Sequence, residues 1–383
     1  MTKLDLRHLF VSPGVRFRIF SSTKEISPAE WNRIAQDYAA MMEWEYFYIL
    51  EQSGCISEHR RFNPFYVGML DRKDRLIGLA PLFERKDATH EFGISGLISE
   101  VAKTARVPFD RGLVGTIPFT PVPAYNFLRE KTMNRERFLA LMLKYIDYIC
   151  EICDFLSVRF YFVDPDLGDA YDIFSSYGYV QLMTNHFLWT NSYDTFDDYL
   201  RSLGSHRRRN IKRELRKIAE SGVKVQMVKG ADAAPELYDK MYGLYLRTWN
   251  KHMPPNIKPF LNRQFFSLLR PFFKNRCLFS IATREEECLG MAIFFEKKGR
   301  MFGRYWGAYE EVPFLHFTTC YYVPMMYAIE KNIRYFDPGF GGYHKQLRGF
   351  KTVRCYHYVK FFGPNRRLGY VALENVLNQW GTW

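Results

Sequence analysis

The stretch FDPGFGGYHKQLRGF, Phe336 to Phe350, carries four glycines, a His, a Lys and an Arg directly after an apolar run. Glycines let backbone N–H groups approach a ligand, and successive N–H groups form a nest for an anion. Gly341 and Gly342 read as the floor of such a loop. Lys345 and Arg348 would add charge and, for the arginine, a fork that fits a carboxylate or phosphate. The alternative is a tight turn with a solvated basic tip. His344 reads either as a base or as a polar loop residue. Asp337 precedes Pro338 at a strand end, where it suits a turn cap.

Two further groups could do chemistry. In MFGRYWGAYEEVPFLHFTTCYY (Met301 to Tyr322), Arg304, Tyr305 and Trp306 lie on a strand that runs into a helix. His316 sits near the start of that helix, whose free N–H groups suit an anion, and Tyr321 and Tyr322 lie one turn further in. The same residues would also make an aromatic core stripe. RSLGSHRRRNIKRELRK (Arg201 to Lys217) holds eight Lys or Arg against one Glu. As a helix over 205–220 it has a narrow apolar stripe of Ile211, Leu215 and Ile218. Its cations, Arg208 and Lys212 among them, make either a phosphate-binding face, a surface for anionic lipid or a solvated face.

The elements that must position these residues occur twice. Phe65 to Lys86 resembles Cys277 to Lys298 at a constant offset that pairs Gly78 with Gly290 and Phe83 with Phe295. VRFYFVDP (from Val158) resembles IRYFDPG (from Ile333), and Tyr177–Trp189 resembles Arg348–Phe361. Three matches in the same order imply a duplicated domain. Each copy reads as strand, two helices, antiparallel hairpin, further strand, helix and strand. That is α+β with a mostly antiparallel mixed sheet flanked by helices. The expected domains are 1–190 and 191–383, the first with an inserted loop region near 94–125. Only the second copy gains the glycines and cations after its last Asp-Pro, so the working pocket is expected there.

The chain has 383 residues, a net charge of +13 and seven cysteines. Its apolar and aromatic content excludes a disordered chain, and the charge suggests an anionic partner. The odd, widely spaced cysteines are expected to be free thiols. Cys150-x-x-Cys153 lacks the second ligand pair that zinc would need. No apolar run reaches the roughly 18 residues that span a bilayer, and the first residues lack an apolar leader core; a cytoplasmic protein is expected.

ILEQSG (from Ile49), PFTPV (from Pro118), RRRNIKRE (from Arg207), GRYWG (from Gly303), LHFTTCYY (from Leu315) and HKQLRGF (from His344) together resemble the FemAB-like predicted N-acyltransferases. The resemblance covers about Glu45 to Phe361. It implies two tandem GNAT-type folds and transfer of an acyl or aminoacyl group to a small amine or amino-acid-like acceptor. By this resemblance, backbone N–H groups near Arg304 to Gly307 would serve the acyl carbonyl, and Tyr321 or Tyr322 would protonate the leaving group. Lys345 and Arg348 would bind a carboxylate or phosphate. Relatives carry acidic residues where Tyr343 and Thr318 stand, so the base would be His344, His316 or Asp337. The GNAT diphosphate signature is missing before Phe317. The donor, with no tightly bound cofactor, would then be an acyl-CoA held differently, an acyl carrier protein or an aminoacyl-tRNA. A non-catalytic module binding RNA or an anionic surface is the alternative from a different class.

Overall fold

The computed structural model describes residues 14–88 and 95–380; the N-terminal segment examined for a leader, and Ile94 of the expected insertion, lie outside them. Contacts divide the chain into two units. One runs up to Asn185 and resumes at Arg354; the other is His186–Val353.

The first unit contains β1 (Arg16–Phe20), α1 (Pro28–Ala35), α2 (Trp44–Gln52), β2 (Phe62–Leu70), β3 (Leu76–Arg85), α3 (Ser95–Ala105), β4 (Gly112–Gly115), β5 (Leu128–Arg129), α4 (Arg135–Ile152), β6 (Ser157–Val163), α5 (Pro165–Gly168), α6 (Tyr171–Ser176) and the start of β7 (Val180–Thr190). Its sheet runs β1-β2-β3-β4-β6 and continues to the C-terminal strand described below; only β4 and β6 are parallel neighbours. The hairpin β2–β3 turns where Asp71 accepts the N–H groups of Lys73 and Arg75, leaving Asp74 in the left-handed region that Asp tolerates.

The insertion near 94–125 contains regular structure besides loop. It supplies α3 and β4, and its remainder is held by the sheet: the N–H groups of Ala124 and Tyr125 both donate to Phe162 O (3.0 and 3.1 Å). The prolines and glycines that suggested a loop shape a buried segment whose backbone groups must find sheet partners.

The second unit contains the end of β7, α7 (Phe196–Ser202), α8 (Ser205–Glu220), β8 (Lys224–Lys229), α9 (Pro235–His252), α10 (Arg263–Phe273), β9 (Cys277–Arg284), β10 (Glu287–Lys297), β11 (Arg300–Ala308), α11 (Leu315–Phe317), α12 (Val323–Glu330), β12 (Tyr335–Asp337) and the start of β13 (Lys351–Phe361); α13 (Arg366–Trp380) follows in the first unit. The order is β7-β12-β11-β10-β9-β8, antiparallel except for β11 with β12. Two-residue turns close its hairpins: Glu285-Glu286 and Lys298-Gly299 have positive φ throughout, the conformation whose twist suits adjoining strands. Between α11 and α12 the helix widens into a π turn, Thr318–Tyr322.

The expected boundaries of 1–190 and 191–383 differ from this division at both ends. Trp189 and Thr190 pair with Phe336 and Tyr335, and Phe187 and Trp189 pack in the second core. At the other end, β13 pairs antiparallel with β6, and Leu373 and Val376 of α13 join Leu97, Ile98 and Val101 of α3 in the first core. Each repeat thus sends the end of its last strand into the other unit, which a boundary drawn at the repeat cannot show.

Candidate active site

The glycine loop follows β12. Gly339, Gly341, Gly342 and Gly349 all have φ between 72° and 85°. Asp337 caps the turn: Oδ1 accepts from Gly339 N (2.8 Å), and Oδ2 meets His186 Nε2 (2.8 Å). Lys345 points inward and donates to Gly339 O (2.8 Å) and Phe340 O (3.1 Å). Burial brings its pKa down to about 8, with Asp337 opposing the shift. Arg348 is also buried. It donates through Nε to Tyr322 Oη (2.8 Å), through Nη1 to His344 O (3.0 Å), and through Nη2 to both Glu214 oxygens (3.1 and 3.0 Å). Its guanidinium lies 3.4 Å from the Phe317 ring centroid, and Tyr322 also donates to Glu214. The two cations expected to hold a ligand therefore hold the loop, and Tyr322 belongs to the same bond network. The lone Glu of the basic run was the available signal for this pairing, because an acid facing inward from a cationic helix needs a buried partner.

His344 and Tyr321 stand together, Nε2 to Oη 3.0 Å. Burial, then Lys345 and Arg348, lower the His344 pKa, while burial raises that of Tyr321. His316 meets both edge to face, its ring centroid 5.9 Å from His344 and 5.3 Å from Tyr321. Burial, His344, Lys345 and Arg348 push its pKa down to about 3. Both imidazoles are neutral at pH 7, and the depth of the His316 shift makes that ring a poor proton acceptor.

His316 lines a cleft of about 980 Å³ with Trp306, Tyr309, Leu315 and residues of α9 such as Thr248. The wall strand β11 pairs with β12 only at Arg300–Phe302, then a bulge leaves Arg304 without an opposite residue on β10. Beyond the bulge, Tyr309 N donates to Leu289 O, so alternation turns Trp306 and Ala308 to the other edge. There Thr248 Oγ1 donates to Trp306 O (2.6 Å) and Arg247 Nε to Ala308 O (3.1 Å). Gly307 permits this close packing: a Cβ there would lie 2.1 Å from Leu244 O. Sequence reading missed Arg247 and Thr248, whose α9 pattern carries no sign of backbone contacts about 60 residues away. Phe314, just before α11, holds φ +67°, a strained conformation for a bulky residue.

Tyr305 packs on Tyr245 and Phe266, and Arg304 lies beside its ring. At the two positions where the family resemblance leads one to expect acids, Thr318 is buried and donates to Phe314 O (3.1 Å), whereas Tyr343 is exposed. Arg208 and Lys212 lie on α8, Lys212 exposed and 3.6 Å from Asp197. Neither Arg208 nor Lys212 lines the cleft.

Two α+β units, the second with an open-edged strand beside a helix start, define a tandem GNAT-like scaffold. The chain belongs to the FemAB-like family, described as peptidoglycan biosynthesis/recognition, whose model matches residues 22–368. Membership places it among transferases acting on amine acceptors. FemX is similar in structure, with a TM-score of 0.56 and 12% identity over 91% of this chain and 98% of that one. So is the C-terminal domain of a putative lysylphosphatidylglycerol synthetase from Agrobacterium fabrum, at 0.55 and 9% over 93% and 97%. A conserved protein of unknown function from Bacteroides thetaiotaomicron gives 0.50 and 8% over 90% and 98%. These likenesses show the fold. No curated protein matches the sequence.

Proposed function

We propose that this chain is an N-acyltransferase that moves an acyl or aminoacyl group from an activated donor to an amine, with its reacting centre in the second unit. The observation that carries this reading is the open edge of β11 in the cleft that His316 lines, with the His344–Tyr321 pair next to His316. The neutral amine attacks the acyl carbonyl. The N–H groups of Trp306 and Ala308 meet the oxygen as it gains charge, at an edge whose carbonyls are already occupied by α9. With His344 Nε2–H donating to Tyr321 Oη, His344 Nδ1 keeps a lone pair for the amine proton. Tyr321 then keeps its own O–H for the departing group, and its raised pKa holds it protonated until then. The amide forms, the donor bond breaks, and the carrier leaves protonated.

The missing diphosphate signature and the left-handed Phe314 just before the helix argue against a GNAT-style grip on CoA. We favour an acyl group delivered on a macromolecular carrier, aminoacyl-tRNA or acyl carrier protein. The family description favours an amine of a peptidoglycan precursor as acceptor. The test is a donor panel of aminoacylated tRNA, acyl carrier protein and acyl-CoA, each with such precursors, followed by mass spectrometry of the product. Amide formation from one donor is expected. His344→Gln should lower kcat about 10²- to 10⁴-fold, the usual contribution of a positioned base, at unchanged Tm. Turnover by His344→Gln at the wild-type rate, or no amide from any donor, overturns the reading.

A further inference from the structure

The glycine loop turns its cations inward and its apolar side chains outward. Phe340 is 53% exposed, Tyr343 75% and Leu347 57%, while Lys345 and Arg348 beside them are 3% and 6%. Three large apolar residues at the surface of one eight-residue stretch are the reverse of what a solvated turn requires. Alongside the loop runs α8, joined to it by the Glu214–Arg348 pair and by Arg207, whose Nη1 is 3.5 Å from Gln346 O. On α8 seven Lys or Arg face two Glu, and one of those, Glu214, is buried. Among the described residues no ion pair forms on Arg209, Arg213 or Lys217, and all three are exposed.

We infer that α8 and the 340–347 loop form one docking surface for an anionic lipid bilayer. The helix does not insert, because its apolar residues Ile211 and Ile218 are buried and Leu215 packs against the core. Instead its cations lie against the headgroups while Phe340, Tyr343 and Leu347 enter the interface. Nucleic acid would use the same charges but gives Leu347 no role, since an aliphatic side chain offers no stacking face. No helix among the described residues is long and apolar enough to cross a membrane, so this contact would be peripheral. It concerns the outward side of the loop that carries His344, and its test reads vesicle binding, so its failure is distinguishable from failure of the transfer reaction.

The test is sedimentation of the full chain with vesicles of phosphatidylcholine, with and without phosphatidylglycerol. Wild type should bind the anionic vesicles and not the neutral ones, more weakly as salt is raised. Each arginine neutralised, in Arg209→Ala and Arg213→Ala, should lower the partition coefficient about fivefold, the factor that corresponds to about 1 kcal/mol per basic residue at an anionic surface. Phe340→Ser with Leu347→Ser should lower it by a similar factor, with the salt dependence unchanged. Circular dichroism and Tm establish that each variant is folded, and a surface alternative to each position (Lys217→Ala, Tyr343→Ser) is available where one is not. Equal binding to both vesicle types overturns the inference. So does loss on removing charge but not on removing the apolar side chains, which would mark a general polyphosphate site, as would tight binding of a single-stranded RNA with no vesicle binding.

Discussion

Arg348 shows how a residue type can be read correctly and its partner missed. The arginine, the lysine and the glycines were visible as a group, but a sequence does not say whether a cation faces a ligand or a carboxylate of its own chain. Here Glu214 answers for Arg348 and backbone carbonyls answer for Lys345. Arg348→Ala should therefore cost stability, on the order of 3–5 kcal/mol, because it leaves a buried carboxylate uncompensated. Urea unfolding measures this, and Glu214→Gln added to Arg348→Ala should recover part of the loss. Unchanged stability with lost substrate affinity would instead assign Arg348 to a ligand. His316 gives a pH prediction. Its folded pKa of about 3 lies below the ordinary 6.5, so between those values the unfolded chain binds the extra proton. Its contribution is present above pH 6.5 and is lost as pH falls, by up to about 1.4 kcal/mol per unit. Wild type should lose roughly 2 kcal/mol from this source between pH 6.5 and 5. His316→Gln should lack that part of the slope in the same unfolding experiment.

At the scale of elements, the repeat and its hairpins were legible because period-2 alternation and charged turns leave a local trace. The helix over 205–220 was legible for the same reason, from its 3.6-residue stripe. The insertion was not, because its prolines and glycines signal irregular backbone without saying whether water or a sheet edge satisfies it. The family resemblance directed attention to the backbone near Arg304 to Gly307, whereas the bulge and the Arg247 and Thr248 contacts there depend on long-range packing. Within the glycine loop, two neighbours can be told apart. Gly341 and Gly342 both hold positive φ, but a Cβ on Gly342 would sit 2.5 Å from His344 Cε1 and one on Gly341 meets nothing within 4 Å. Each alanine substitution should cost about 1–2 kcal/mol of backbone strain. Gly342→Ala should in addition displace His344 and lower kcat at least tenfold, a larger loss than for Gly341→Ala. Equal rates for the two variants would separate His344 from the chemistry.

For the whole molecule, the exchanged strand ends decide which fragments can fold. A chain cut at the repeat boundary, 1–190, keeps β6 but loses β13 and α13. It therefore exposes the face that Val359, Phe361, Leu373 and Val376 cover in the first core. Each such side chain contributes roughly 1.5–3 kcal/mol when buried, so the four together rival the roughly 5–15 kcal/mol by which a domain is stable. The complementary piece, 191–383, lacks Phe187, His186 and Trp189, and with them the partners of Phe336 and Asp337. Neither fragment should give a cooperative unfolding transition alone. Mixed together after co-expression they should, because each then supplies the other's missing strand end. Differential scanning calorimetry of the separate and co-expressed pieces reads this directly: a sharp transition from 1–190 alone would mean that β13 and α13 cover that core without being needed to hold it.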